Sequence, residues 1–150
     1  MPFKEGFKTS KYDDWATPQY IFDTLNERFH FTLDVCANRN NAKCRKYFTK
    51  KQDGLKQKWT GTCWCNPPYG IEIAKWVQKA YDSSLQGTTV VCLVPSATST
   101  RWWHNYAMKG KIEFIKGKVR FVRNGDDSSP APFHSAIVIF QGKKRTRQAA

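Results

Sequence analysis

Thr62-Cys63-Trp64-Cys65-Asn66-Pro67-Pro68-Tyr69-Gly70 reads as a buried strand with an abrupt end. Thr62 to Asn66 has strand composition, and Pro67 and Pro68 cannot extend it, because neither carries an N–H for a ladder. Downstream, Ile73, Trp76, Val77, Ala80 and Leu85 fall on one helical face, which ends before Gly87. Thr89 to Val94 is then a near-continuous apolar run, as in a central strand covered on both faces. Strand, helix and strand at this spacing form a parallel unit. Upstream, Thr17 is positioned to cap a helix with Pro18 in its first turn and Ile21, Phe22, Leu25 and Phe29 on its inner face. A strand over Phe31–Cys36 and a short basic helix over Asn41–Tyr47 follow. Beyond the central strand the pattern predicts a helix over Thr100–Met108 and strands over Lys111–Ile115, Lys118–Arg123 and Ser135–Phe140. The last two form a hairpin around the polar loop Asn124–Pro132. The expected fold is α/β, a mostly parallel sheet with an antiparallel C-terminal hairpin. In such sheets ligands bind at the carboxyl ends of the strands, where Asn66 stands.

The chain has 150 residues, 40% hydrophobic and 15% aromatic, enough to bury one core. We expect a single domain over 1–150, with flexible ends at 1–11 and 142–150 and no separate target-recognition domain. Lysine and arginine number 25 against 12 acids, a formal charge of +13. That excess predicts a polyanionic partner, since each neutralised phosphate releases counterions. Met1–Trp15 has no apolar run to act as a leader, and no stretch is long enough to span a membrane. We therefore expect a cytoplasmic protein with no membrane partner. Five cysteines, an odd count, argue against a disulfide framework. Cys63-x-Cys65 places two thiols on one strand face, not in a zinc knuckle, and no metal site is expected. His30, His104 and His134 are scattered and suggest no triad.

Asn66-Pro67-Pro68-Tyr69 carries the chemistry. A tetrapeptide of this kind arises by chance in roughly one chain in a thousand of this length. An exocyclic aromatic amine is a poor nucleophile because its lone pair is delocalised into the ring. An asparagine oxygen and a proline carbonyl can each accept one of its N–H bonds, which favours a pyramidal nitrogen with the lone pair aimed at a methyl donor. Consecutive prolines hold those acceptors rigid, and this is preorganisation, not acid–base catalysis. A neighbouring aromatic ring can stack on a base swung out of a helix.

These residues resemble the amino-group methyltransferases, and the wider pattern is similar to the compact, phage-type DNA N6-adenine methyltransferases. The matching pieces are Trp15-Ala-Thr17-Pro18, Leu33-Asp34-Val-Cys36-Ala37, Asn41 to Thr49, Asp53-Gly54-Leu55, Trp64 to Gly70, Val94 to Trp102 and Gly117 to Phe121. They run in the family's order over nearly the whole chain. The resemblance implies a Rossmann-like sheet with S-adenosylmethionine lying across the strand ends. It places Trp15, Thr17 and Pro18 at the methionine end of that cofactor, and Asp34 on its amino group with Cys36 and Ala37 adjoining. It places Asp53, with Gly54, on the adenine amine of the cofactor, and Asn66, Pro67, Pro68 and Tyr69 at the target base. Two departures stand out. Ala37-Asn38-Arg39-Asn40 replaces the usual glycine-rich loop, and only 19 positions separate Asp34 from Asp53.

The implied activity is transfer of a methyl group to the exocyclic amine of a flipped-out adenine in double-stranded DNA, by a monomer or homodimer in a bacterial or phage-infected cytoplasm. The same motif also serves glutamine-amide methyltransferases, so an amide or an RNA base is an alternative substrate. The missing glycine loop leaves an inactive nucleic-acid-binding module as a further alternative. Arg39, Lys43, Arg45, Lys46, Lys50 and Lys51 make one basic group, and Arg120 and Arg123, with Lys109, Lys111, Lys116 and Lys118, make a second. Both flank the strand-end cleft in sequence, which suits a phosphate-tracking rim. Lys143, Lys144, Arg145 and Arg147 form a basic tail that suits either a phosphate-binding arm or a solvated terminus.

Overall fold

The structure, a computed structural model, describes residues 16–122 and 131–144. Its core is one six-stranded sheet. In chain order the strands are β1 (Leu33–Asp34), β2 (Lys46–Tyr47), β3 (Thr62–Cys65), β4 (Thr89–Pro95), β5 (Lys111–Phe114) and β6 (Ser135–Phe140). Across the sheet the order is β2-β1-β3-β4-β6-β5. The pairs β1–β2, β1–β3 and β3–β4 are parallel, while β4–β6 and β5–β6 are antiparallel. This is the expected α/β fold, a mixed and mostly parallel sheet with an antiparallel C-terminal part. From β1 the chain goes outward to β2, then returns to lay β3 on the other side, so the topology reverses between β1 and β3. A crevice opens at the carboxyl ends of strands at such a switch point.

The helices are α1 (Gln19–Phe29), α2 (Ile73–Leu85) and the short α3 (Arg101–Asn105). α1 buries Ile21, Phe22 and Leu25, and Phe22 meets Trp64 of β3 edge-on at 5.5 Å. Phe31, between α1 and β1, joins the same aromatic cluster. Burying such rings contributes about 1.5–3 kcal/mol each, and their edge-to-face contacts add to it. α2 buries Ile73, Trp76, Val77 and Ala80, the face its spacing predicts. β4 is buried from Thr89 to Val94, as its composition requires of a strand covered on both sides.

Four expectations need correction. Pro18, not Thr17, is the N-cap of α1, with extended backbone (φ −53°, ψ 134°) and no side-chain cap bond. The basic helix over Asn41–Tyr47 does not form. The Asn38 side chain accepts from the amides of Asn40 and Asn41, and Asn41 Oδ1 accepts from the amide of Asn38. Side-chain capture of these amides favours a turn over a helix, and Lys46–Tyr47 then pairs as β2. The helix over Thr100–Met108 stops at Asn105, with a 3-10 turn at Ala107–Lys109. Finally, Lys118–Val122 is not a strand: among the described residues it makes a single bridge, from Val122 to Ala16. Ser135–Phe140 pairs antiparallel with β4 on one side and with Lys111–Phe114 on the other. Arg123 and most of the predicted loop 124–132 lie outside the described residues.

Candidate active site

A cavity of about 430 Å³ opens at the carboxyl ends of β1 and β3. Thr17, Asp34, Cys36, Ala37, Asp53 and Gly54 line it, and so do Asn66, Pro67, Pro68 and Tyr69. These residues come from four separate stretches of sequence, and the switch point gathers them. Pro18 is buried beside them without lining the space, and Trp15 lies outside the described residues.

Asp34 ends β1 and is almost wholly buried, at 2% exposure. Its Oδ1 accepts from the Cys36 amide at 3.2 Å and its Oδ2 from the Lys43 amide at 3.0 Å. Burial outweighs these bonds and pushes its carboxyl up from 3.8 to about 7. One carboxylate thus organises the loop that replaces both the glycine-rich turn and the following helix. That is how the short passage from Asp34 to Asp53 closes. Asp53 sits at the turn after β2 with a positive φ of 57°, and its Oδ1 accepts from the Leu55 amide at 3.1 Å. Gly54 beside it is packed so tightly that a Cβ would fall 2.2 Å from the Val35 carbonyl oxygen and 2.8 Å from the Trp76 ring. Lys79 Nζ donates to the Leu55 carbonyl, and Trp59 Nε1 to that of Gly54, which fixes this turn against α2.

Asn66 follows directly on β3. Its Nδ2 donates to Thr17 Oγ1 at 3.1 Å, and Tyr69 Oη lies 3.4 Å from its Oδ1. The Thr17 hydroxyl, predicted as a helix cap, is instead the acceptor that sets which way the Asn66 amide faces. Tyr69 Oη also lies 3.2 Å from the Leu93 carbonyl, and its ring meets Phe121 and Phe133 edge-on. Burial raises its phenol well above the ordinary value, so it stays protonated as a donor. Tyr69 is therefore a wall of the cavity, 8% exposed, not a free-standing ring.

The basic residues separate into distinct places. Arg39 and Lys51 are exposed, the first in the loop after β1 and the second in the turn after β2, and the exposed Lys50 lines the cavity. Arg45 and Lys46 are exposed along the edge at β2, and Arg120 is exposed beside the cavity residue Phe121. Lys43 is half-buried and lines the cavity itself. Lys109 stacks over Tyr81 at 4.8 Å, and Lys111 pairs with Glu113 at 3.7 Å. Both precede or begin β5, the edge strand separated from β3 by β4 and β6, so they lie across the sheet from the cavity. Lining residues to which the sequence assigned no site role include Glu72, Trp76 and Phe121. Glu72 and Trp76 stand one helical turn apart, and the i, i+4 spacing after the proline pair was the signal available.

A strand-end cavity at a switch point, lined by a buried acid, a close-packed glycine turn and an oriented asparagine, defines an α/β domain built for a nucleotide-sized ligand. The chain belongs to the DNA N-6-adenine-methyltransferase (Dam) family, whose model matches residues 5–149. A DNA N-6-adenine-methyltransferase of Haemophilus phage HP1 (strain HP1c1) is 30% identical over 150 residues, covering 95% of this chain and 87% of that protein. Another, from Escherichia phage T1, is 24% identical over 147 residues, covering 81% of this chain and 61% of the relative. Membership implies a methyl donor and DNA as substrate. Among the described residues no helix is long and apolar enough to cross a membrane.

Proposed function

We propose that this adenine-specific DNA methyltransferase binds S-adenosylmethionine in the 430 Å³ cavity and methylates an adenine swung out of duplex DNA. The residues present fit that cofactor. Asp34, a buried carboxylate whose ionisation the protein alone disfavours, suits an ammonium group. The Asp53-Gly54 turn, closed to any side chain at Gly54, offers a flat wall and a carboxylate for an adenine amine. When bound, the cofactor supplies an electrophilic methyl group. Asn66 Oδ1 and the Pro67 carbonyl accept the two N–H bonds of the target amine, which leaves its lone pair free to attack. Neither group gains or loses a proton: the electrons of the broken S–C bond would stay with the donor's sulfur, the proton of the methylated amine would leave to solvent, and no covalent enzyme intermediate forms. Thr17 holds the Asn66 amide with nitrogen toward itself and so presents oxygen to the substrate. Arg39, Lys50, Lys51 and Arg120 form the phosphate-contacting rim.

The observation that carries this reading is Asn66: its side chain lines the same cavity as Asp34 and has its amide orientation set by a buried hydroxyl. Duplex DNA incubated with the protein and S-adenosylmethionine should yield N6-methyladenine on nucleoside mass spectrometry. Asn66→Ala should abolish the product while leaving cofactor affinity within a few-fold. Near-normal turnover by that variant would overturn the assignment.

A further inference from the structure

The loop after β1 brings a lysine to the cavity wall as well as an acid. Lys43 lines the space with Asp34, nine residues after it in the chain. Its backbone amide donates to Asp34 Oδ2 at 3.0 Å, and its ammonium donates to Gln19 Oε1 at 2.8 Å in the first turn of α1. Gln19 is two residues beyond Thr17, itself a lining residue. The bond from its ammonium to Gln19 is exposed to solvent, but the residue as a whole is only partly exposed, unlike Arg39 and Lys51, and burial lowers its pKa against the favourable pull of Asp34 and Asp23. A cation held in that state gains from an anion placed beside it.

A cavity wall that offers a carboxylate and an ammonium from one short loop is complementary to a zwitterion. The amino-acid end of S-adenosylmethionine is one, with an α-ammonium and an α-carboxylate on the same carbon. We propose that Lys43 binds the α-carboxylate of the cofactor while Asp34 takes its α-ammonium. This assignment rests on the cofactor reading above and moves Lys43 from the DNA rim, where its place in the sequence had put it, into the cofactor site. Lysine suits the task because a compact point charge matches a carboxylate without needing a fixed planar geometry. Gln19 keeps the ammonium in place when the site is empty, and its neutral oxygen is readily displaced by a charged one.

The test compares two ligands on the full chain by calorimetry. S-adenosylhomocysteine carries the amino-acid end, whereas 5′-methylthioadenosine keeps the adenosine and the thioether but lacks that end. Lys43→Met retains the apolar stem and removes the charge. It should weaken S-adenosylhomocysteine binding by about tenfold to a hundredfold and leave 5′-methylthioadenosine within twofold, which also certifies the fold. Lys43→Arg should restore part of the loss. The salt dependence of duplex DNA binding should not change. Unaltered S-adenosylhomocysteine affinity, or an equal loss for both ligands, would overturn the assignment. So would a salt slope shallower by about one unit, the mark of a lost phosphate contact. If the unmodified protein bound neither ligand, the cofactor reading itself would fall, and this assignment with it.

Discussion

Thr17→Val replaces a hydroxyl by a methyl group of nearly the same shape, at a position 1% exposed to solvent. Among the described residues that hydroxyl makes one hydrogen bond, accepting from Asn66 Nδ2 at 3.1 Å. Asn66 is partly exposed, so the freed N–H regains water, and the net loss is that of one ordinary hydrogen bond, about 1 kcal/mol. For a chain of this length that lowers Tm by about 2–4 °C. The effect on chemistry follows from the same quantity. The bond to Thr17 distinguishes the two orientations of the Asn66 amide, and the inverted one offers N–H where the target amine needs an acceptor. Without that preference, kcat should fall about fivefold, the rate equivalent of 1 kcal/mol. Steady-state methyl transfer at saturating DNA and cofactor reads kcat, and calorimetry reads cofactor affinity. Thr17→Ser, which keeps the acceptor, should stay near the unmodified rate. An unchanged kcat in Thr17→Val would refute the positioning role. A weakened cofactor Kd at constant kcat would return Thr17 to the methionine end of the cofactor.

Three further outcomes follow from the site. Burial holds the Asp34 carboxyl near 7 in the ligand-free protein against 3.8 when exposed, so it is protonated in the fold at pH values where the unfolded chain is ionised. Stability should therefore fall as pH rises from about 4 through about 7. Cofactor affinity should weaken by up to about tenfold per unit as pH falls below 7, and Asp34→Asn should flatten both profiles. A Kd independent of pH across that range would remove the ammonium from Asp34. Gly54→Ala must push a Cβ against the Val35 carbonyl, so thermal melts should show a loss of about 1–3 kcal/mol together with weaker cofactor binding. Removing Lys50 and Lys51 together should make the slope of log DNA affinity against log salt shallower by about 2 units and leave sequence preference intact. An unchanged slope would place the DNA path elsewhere.

The elements legible in the sequence were those whose own residues decide them. The α2 face and the β4 run need no information from elsewhere, because burial on one side or both is written in their apolar spacing. The proline pair that stops β3 likewise placed Asn66 at a strand end. The misread segments are those where a distant side chain settles the outcome. Asn41–Tyr47 has acceptable helical composition, but the side chains of Asn38 and Asp34 capture its early amides. Thr17 is a good helix cap by type, yet Asn66, 49 positions away, claims its hydroxyl. Lys43 looked like its basic neighbours, and nothing local marks it as one that lines the cavity half-buried. Pairing across the C-terminal half failed for a related reason: strand composition says that Lys118–Val122 could pair, not that β5 is already there to do so.

The place of β6 between β4 and β5 has a consequence for how the molecule assembles. The parallel half grows outward from neighbouring segments, and β3, α2 and β4 can collapse together as they become available. β5 cannot follow in turn, because its neighbour in the sheet is β6, which lies later in the chain. β6 must first dock along the whole length of β4, from Pro95–Ser135 to Val90–Phe140, before β5 has an edge to join. Closing that long connection is the slow entropic step, as contacts distant in sequence are in general. Until it closes, β4, buried and apolar along most of its length, presents one bare edge, and that interval is when the chain is most open to pairing with another copy of itself.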